Sequence, residues 1–259
     1  MGLRLSLRAR LDGIVGPYAL LLLREATGRN DPLPHIVPAQ PVGLRPGTTV
    51  ALWSLCAGVG TSTVAALVAH RSTAARSPAL LVDLDRHAPA LALRAGLQVA
   101  TVADALLRPG REQELVSRWE RTPFLAGAPG LHASFDGERV AALVGSAAAG
   151  RAVVLDLGAG ADALDPAVLG RCARLFVCAG TRVAQLYAAF CSVAALATVD
   201  VPVSLVIVGA DDDDAQRVAA RLPWPLASAL PNDEHLARDD FAARAPTLHA
   251  IDRVIRAAA

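Results

Sequence analysis

The sequence predicts an α/β fold, a doubly wound and mostly parallel sheet with helices on both faces. Short apolar runs alternate with helix-length segments from residue 48 to the C-terminus, which implies consecutive βαβ units. Several of these runs lack polar alternation, as expected for strands that helices cover on both faces. The chain has 259 residues, 53% of them hydrophobic, and this length favours one large domain over two.

The chain before this domain is predicted to be a helical arm at 1–29 followed by a proline-rich linker at 30–47. The arm has basic residues and an apolar run, but Gly16 and Pro17 interrupt the run and it is far shorter than the ~20 residues that span a bilayer. We expect the arm to pack on the domain or on a partner. A peripheral membrane contact through its leucines and arginines is the open alternative. Five prolines predict an extended linker.

The domain at 48–259 contains the predicted secondary structure. Apolar runs bounded by glycine, proline and polar residues predict seven strands, at 49–55, 79–82, 124–127, 152–155, 175–179, 203–208 and 226–229. Helical spacing predicts helices at 61–73, 183–198 and 214–222. The aspartate run at 211–214 is expected to cap the last of these, with a metal site as the alternative. Because ligands in such sheets bind beyond the carboxyl ends of the strands, we expect the functional residues there.

The segment from Val50 to His70 is a buried strand, a glycine-containing loop and a helix. In a phosphate-binding loop, backbone amides surround the phosphates, a lysine contacts the terminal phosphates, and the next Ser or Thr ligates Mg²⁺. Gly58, Gly60, Ser62 and Thr63 match this pattern, but Thr61 stands at the lysine position. The whole chain contains no lysine, since all 25 basic residues are arginine. A tight connection without a phosphate role is the alternative.

This loop resembles the deviant Walker A motif of the MinD/ParA family of P-loop ATPases, Lys-Gly-Gly-x-Gly-Lys-Thr-Thr. Here the motif reads Cys56-Ala57-Gly58-Val59-Gly60-Thr61-Ser62-Thr63. In that family the first lysine reaches the partner subunit's nucleotide, and the second holds phosphate within its own subunit. The resemblance therefore implies a P-loop NTPase-like fold and a cofactor site at residues 56–63. Cys56 and Thr61 replace both lysines.

Two further segments resemble the acidic motifs of the same family. The run LLVDLD resembles the Asp-x-Asp whose carboxylates orient the attacking water and the magnesium shell, which implies catalytic roles for Asp83 and Asp85. The run AVVLDLGAG places Asp156 at the Walker B aspartate, which implies a catalytic role for it as well. The resemblance thus implies a Mg²⁺ site at Ser62, Asp83 and Asp156. Helix caps or solvated turns are the alternative for each aspartate.

The C-terminal region resembles the family's Pro-x-Asp loop and final helices. Pro231 and Asp233 match that loop, which implies that they contact the cofactor. The resemblance covers residues 48–259, roughly four-fifths of the chain. The last helix, with Ile251 and Val254 on one side, is expected to pack on the sheet, with a MinD-like membrane contact as the alternative.

The missing lysines predict a weak or inactive ATPase. Phosphoryl transfer depends on positioned positive charge, and one cation at the transferring phosphate contributes on the order of 10³-fold. A replacement cation has to come from an arginine such as Arg86 or Arg182, or from a partner protein. Two cofactor states stay open: weak binding of ATP or ADP with Mg²⁺, or no nucleotide.

The degenerate Walker loop of this chain resembles those that are prominent in the TadZ/CpaE branch of the family. Proteins of that branch mark the assembly site of the Tad (Flp) pilus. We therefore expect a cytoplasmic localisation or scaffolding factor for pilus assembly or for positioning at a cell pole or septum. Homodimers, partners from pilus, secretion or division machinery, and polar or membrane association through those partners are implied. The alternatives are an active ATP-dependent switch in septum-site determination or DNA partition, and an accessory subunit of another ATPase. A net charge of +1 with interspersed charges predicts no sequence-specific nucleic-acid binding.

Overall fold

The computed structural model describes residues 41–131, 135–236 and 242–258. The predicted arm at 1–29 and most of the predicted linker lie outside the described residues. The strands are β1 (Thr49–Ser54), β2 (Ala79–Asp83), β3 (Ser117–Trp119), β4 (Thr122–Leu125), β5 (Ala152–Ala159), β6 (Arg174–Gly180), β7 (Val203–Val208) and β8 (Leu226–Leu230). They form one sheet in the order β3-β4-β2-β5-β1-β6-β7-β8, and every neighbouring pair is parallel except β3 and β4.

The helices connect these strands and cover the sheet. They are α1 (Thr61–Ala74), α2 (Leu91–Arg94), α3 (Val102–Leu106), α4 (Glu112–Leu115), α5 (Gly137–Ala148), α6 (Pro166–Leu169), α7 (Val183–Ala195), α8 (Asp212–Ala219) and α9 (Ala245–Ala257). None of the described helices is both long enough and apolar enough to cross a membrane.

The central strand β1 shows why the apolar runs lack alternation. Val50 and Leu52 belong to the core on one face of the sheet, and Ala51 and Trp53 belong to the core on the other face. Helices α1 and α9 contribute to the first core, and α5, α7 and α8 contribute to the second. Because both faces are buried, both sets of side chains must be apolar. The predicted doubly wound fold with helices on both faces is confirmed.

The strand order brings three loops together at one edge of the sheet. Val50 of β1 pairs with Val154 on β5 and with Arg174 on β6, so β1 lies at the position where the chain changes direction across the sheet. Strands β2, β5 and β1 are neighbours and run parallel, so the loops after their carboxyl ends are adjacent. The Trp53 Nε1 group donates a hydrogen bond to the Gly160 carbonyl at 2.8 Å, which ties β1 to the loop after β5.

All seven predicted strands are present; the ends of β7 match the prediction and those of the other six are shifted. Strand β4 runs over Thr122–Leu125 instead of 124–127, because it forms a hairpin with the unpredicted β3 in which Trp119 pairs with Thr122. A three-residue strand is too short to show periodicity, so β3 left no signal in the sequence. The predicted cap is confirmed at Asp211, whose carboxylate accepts a hydrogen bond from the Asp214 amide at 2.8 Å.

Two further segments pack on the face of the sheet that α1 covers. The last helix, α9, buries Ile251 and Val254 against the core, as predicted for a packed helix. In the predicted linker, Leu44 is buried in the same core, and its amide donates a hydrogen bond to Ser72 Oγ at 3.0 Å. The described end of that segment therefore packs against the domain.

Candidate phosphate-binding site

The loop between β1 and α1 has a backbone that only glycine adopts readily at two positions. Gly58 has φ 76° and Gly60 has φ 102°, both in the left-handed region. A Cβ atom on Gly58 would have no neighbour within 4 Å, so backbone conformation and not crowding requires glycine there. Residues 56–63 connect a strand to a helix, as the sequence predicts.

A cavity of about 210 Å³ lies at this loop. Its lining comes from the loop, from the first turn of α1 and from the neighbouring strand-end segments: Ser54, Ala57, Gly58, Gly60, Thr61, Ser62, Thr63, Asp85, Arg94, Gly158 and Ala159. Six of the eight predicted Walker-like residues are in this set. The exceptions are Val59, which is buried in the core on the α1 face, and Cys56, which is half-buried beside the cavity.

The side chain at the lysine position is bonded into the protein. Thr61 is 6% exposed, and its hydroxyl donates a hydrogen bond to Ser54 Oγ at 3.0 Å. The Ser54 hydroxyl in turn donates to the Cys56 carbonyl at 2.8 Å. These two hydrogen bonds connect the start of the loop to the start of α1. Position 61 therefore stabilises the loop and brings no positive charge to it.

A cation lies in the cavity at a position that sequence reasoning missed. Arg94, the last residue of α2, lines the cavity, and its Nη1 donates a hydrogen bond to Thr63 Oγ1 at 3.0 Å. Arg94 follows the Asp83–Asp85 segment in the chain but is 31 positions from Thr63. No local motif marks such a contact, because only the packing of α2 beside α1 brings the two side chains together.

The two arginines that the sequence suggested as replacements do not line the cavity. The Arg86 guanidinium lies 3.4 Å from the centroid of the Phe135 ring, and its Nη2 is 3.9 Å from Asp165 Oδ2. Arg182 is exposed at the start of α7. Neither Arg86 nor Arg182 therefore lines the cavity, and a cation supplied by either of them or by a partner protein stays a prediction.

Several solved structures have a similar fold, and their names include an ATPase and complexes with nucleotides. The septum site-determining protein MinD from Pyrococcus horikoshii, complexed with Mg-ADP, matches with a TM-score of 0.66 at 15% identity over 81% of this chain and 95% of that chain. A ParA family ATPase from Chlorobium tepidum matches with a TM-score of 0.63 at 18% identity over 80% and 98%. A substituted form of Cyanothece McdA in complex with ATP matches with a TM-score of 0.66 at 12% identity over 84% and 97%.

This chain has the MinD/ParA fold. Neither a protein-family model nor a curated protein sequence matches it. At these identities the solved structures establish the fold, and what the site does has to be argued from its own residues.

In this MinD/ParA-fold domain, Asp83 and Asp156 are register partners on β2 and β5, and both are buried. Asp83 Oδ1 accepts from the Asp85 amide at 3.1 Å, and its Oδ2 accepts from the Leu91 amide at 3.3 Å. Burial and the nearby Asp156 raise the pKa of Asp83 well above its ordinary value. Asp83 therefore holds the loop before α2, and neither Asp83 nor Asp156 lines the cavity.

The two carboxylate oxygens of Asp156 differ in their hydrogen bonding. Its Oδ1 accepts from the Gly158 amide at 3.0 Å, whereas its buried Oδ2 has no hydrogen bond of normal geometry among the described residues. Burial raises the pKa of Asp156 to about 6, and the Ser62 hydroxyl and the Gly158 amide lower it in part. An acceptor of this kind beside Ser62 fits the water shell of a Mg²⁺ ion.

Asp85 is the predicted catalytic carboxylate that does line the cavity. Its Oδ1 accepts from the amides of His87 and Ala88, each at 2.9 Å. The carboxyl group packs against Gly158 so closely that a Cβ atom there would lie 2.4 Å from Asp85 Cγ. Gly158 therefore makes room for Asp85 at the cavity wall.

The predicted magnesium site at Ser62, Asp83 and Asp156 has few direct ligands of its own. Among the described residues, no group of three or more His, Cys, Asp or Glu side chains is arranged to hold a metal ion. Mg²⁺ commonly uses only one or two protein oxygens together with water and substrate phosphates. Ser62 on the cavity wall fits that pattern as a direct ligand, whereas Asp156, which does not line the cavity, fits the water shell. The remaining ligands would come from phosphate and water.

The predicted Pro-x-Asp contact lies after β8, and neither Pro231 nor Asp233 lines the cavity. Asp233 is buried, and its Oδ2 accepts from the Arg244 amide at 2.8 Å and from Thr247 Oγ1 at 2.7 Å. These bonds fix the start of α9. A nucleotide contact at Pro231 and Asp233 stays a prediction.

Proposed function

We propose that this chain is a positioning or scaffolding protein that binds ATP or ADP with Mg²⁺ weakly and hydrolyses it slowly or not at all. The observation that carries the proposal is the Thr61 side chain, which occupies the lysine position and bonds to Ser54 without bringing a charge to the cavity. The loop amides remain available to phosphate. The strongest contribution to phosphoryl transfer, a cation at the transferring phosphate, is missing from its usual place.

The residues divide into a binding set and a supporting set. The amides of residues 57–63 and the positive end of the α1 dipole attract phosphate, and Ser62 offers a hydroxyl oxygen to Mg²⁺. Bound Mg²⁺ would neutralise phosphate charge. Asp85 is the carboxylate that lines the cavity, whereas both oxygens of Asp83 accept hydrogen bonds from backbone amides. This arrangement supports retention of nucleotide more than its turnover.

An apolar helix face beside the loop supports the proposal of a homodimer. Helix α7 carries no charged residue and exposes Val183 (85%), Tyr187 (71%) and Phe190 (41%). Gln185 on the same helix donates a hydrogen bond from Nε2 to the Gly58 carbonyl at 3.0 Å, so α7 is anchored to the phosphate loop. Exposed apolar surface of this kind marks protein contacts. We propose that a second copy covers it.

The cellular role that fits a stable dimer with slow turnover is to mark a position. Such a protein resembles the TadZ/CpaE branch, and we propose partners from pilus, secretion or division machinery. Location in the cytoplasm, with polar or membrane association through those partners, belongs to the same proposal. A scaffold of this kind needs a surface for a partner more than it needs an efficient active site.

The test combines calorimetry, phosphate release and light scattering on the full chain. We expect a dimer without nucleotide, weak Mg·ATP and Mg·ADP binding, and phosphate release near the buffer background. A dimer that Tyr187→Asp converts to a folded monomer, while the control Leu107→Asp stays dimeric, would support the α7 interface. Leu107 is 80% exposed and follows the end of α3. A monomeric wild-type protein would contradict the scaffold.

An ATP-driven switch for septum-site determination or DNA partition is the second candidate. The observation that favours it is Asp85, which lies at the cavity wall where a carboxylate can order water. This candidate requires dimerisation that depends on ATP and hydrolysis that Asp85→Asn abolishes. Measured turnover at rates ordinary for ATPases, about 1 s⁻¹ or more, would decide in its favour.

A further inference from the structure

The cavity at the phosphate loop is lined by one arginine, Arg94, which lies outside residues 56–63. We infer that Arg94 binds the terminal phosphates of the ligand and replaces the lysines that are absent at residues 56 and 61. The inference rests on the proposed phosphate site and adds to it the residue that supplies the charge.

The position of Arg94 carries the first part of the argument. The side chain is half-buried, lines the cavity together with Ser62 and Thr63, and donates from Nη1 to Thr63 Oγ1 at 3.0 Å. Thr63 belongs to the first turn of α1, where the backbone amides and the helix dipole attract an anion. The guanidinium is therefore held at the same end of the cavity as these amides.

The second part is that Arg94 is the one cationic side chain that lines this cavity among the described residues. No other arginine, and no histidine, lines the cavity. Arg86, which follows Asp85 in the chain, lies over the Phe135 ring instead.

The guanidinium group of arginine is well suited to binding phosphate. A guanidinium presents five N–H donors in a planar fork and can bind two phosphate oxygens together, whereas an ammonium acts as a point charge. An arginine that approaches from another element can thus replace a lysine in the loop for binding. It does not reproduce the lysine's place along the line of phosphoryl transfer, which agrees with slow turnover.

The position of Arg94 depends on Asp83. Asp83 Oδ2 accepts the amide of Leu91, the first residue of the four-residue helix that ends at Arg94. Asp83 is therefore a positioning residue for the cation. The same chain segment carries Asp85 on the cavity wall, so phosphate bound to Arg94 would also fix Asp85.

The test is isothermal titration of the full chain with ADP and, separately, with pyrophosphate, each with excess Mg²⁺. We expect Arg94→Gln to weaken both ligands by about 10-fold or more and Arg94→Lys to weaken them less, because a lysine keeps the charge. The matched control is Arg118→Gln, at an exposed arginine on β3 outside the cavity. Adding Thr61→Lys to Arg94→Gln should restore binding, because it returns a cation to the cavity.

The outcomes separate this inference from the proposed function. If wild-type protein binds both ligands and Arg94→Gln binds them equally well, the role of Arg94 is wrong while the phosphate site stands. If wild-type protein binds neither ligand, the phosphate site itself is wrong. A loss in Arg94→Gln with a lowered melting temperature and no recovery by Thr61→Lys would also overturn the inference, since Arg94 would then act on the fold.

Discussion

The Thr61 hydroxyl donates a hydrogen bond to Ser54 Oγ at 3.0 Å, across the loop that would surround a phosphate. Ser54 is the last residue of β1 and Thr61 the first residue of α1, so this bond joins the two ends of the loop directly. A lysine at residue 61 cannot make it. The residue at the predicted lysine position therefore makes a structural contact, which makes the substitution Thr61→Lys informative.

Thr61→Lys is expected to raise the affinity for Mg·ADP by about 10-fold, because it places a cation next to the loop amides. Calorimetry on the variant and the wild type measures this directly. The matched control is Thr61→Val, which keeps the shape and removes the hydroxyl. It should cost about 1 kcal/mol in the free energy of unfolding and leave affinity no higher. Equal affinity in Thr61→Lys and Thr61→Val would contradict the prediction.

The raised pKa of Asp156 predicts a pH dependence of stability. The pKa is about 6 in the fold and 3.8 in the unfolded reference, so between these values the folded chain binds more protons than the unfolded chain. The free energy of unfolding contributed by this group therefore falls as pH rises from about 4 to about 6. Asp156→Asn removes the effect and should be more stable than wild type at pH 7 by roughly 1–3 kcal/mol.

Urea denaturation at several pH values between 4 and 7 checks this prediction. The difference between Asp156→Asn and wild type should grow as pH rises above about 4. Asp83 contributes to this difference as well, because the Asp156 carboxylate raises the pKa of Asp83. A difference that stays constant over the range would show that Asp156 titrates normally in the fold.

Gly158 is expected to be intolerant of a side chain. Its φ of 67° is in the left-handed region, and an added Cβ would lie 2.4 Å from Asp85 Cγ. Gly158→Ala should cost about 2 kcal/mol or more in the free energy of unfolding and displace Asp85.

The matched control is Gly145→Ala within α5, where an added Cβ has no neighbour within 4 Å. It should stabilise the protein by roughly 0.5–1 kcal/mol, because alanine favours the helix over glycine. Thermal or urea unfolding of both variants compares them. If Gly158→Ala matched Gly145→Ala, the close approach of Asp85 would be refuted.

The buried pair of Arg71 and Asp252 is expected to hold α1 to α9. Arg71 Nε donates to Asp252 Oδ1 and its Nη2 donates to Oδ2, both at 2.7 Å, and the Asp252 side chain is 1% exposed. Arg71→Met would leave a buried carboxylate unpaired and should cost about 3–5 kcal/mol.

The exposed pair of Arg111 and Glu114 is the comparison. Arg111→Met should leave the free energy of unfolding unchanged, because solvent screens an exposed ion pair. Urea denaturation measures both variants at pH 7. Similar losses in Arg71→Met and Arg111→Met would mean that burial does not strengthen the first pair.

The fold was readable from the sequence because burial on both faces of a sheet leaves apolar runs. The seven predicted strands are all present, and the residues at 61–73 are helical. The hairpin strand at Ser117–Trp119 was missed because its pairing with Thr122–Leu125 depends on a turn and not on periodicity. Helix α5 was also missed, although Asp136 caps it by accepting from the Arg139 amide.

The site was readable in part. The loop at 56–63 and Asp85 do meet at one cavity, because parallel strands bring their carboxyl ends to one edge. The roles of the side chains were not readable, since Thr61 and Asp83 both turn to partners within the fold. Arg94 was missed and Arg86 was suggested in its place.

The sequence alone determined the presence of seven of the described strands, the glycine backbone of the loop and the absence of lysine, since each of these is a property of consecutive residues. The tertiary structure decided which charged groups share the cavity. The contact between Arg94 and Thr63 joins side chains 31 positions apart, and it exists only because α2 packs beside α1. Distances of this kind depend on how whole elements pack, and no local pattern of residues encodes them.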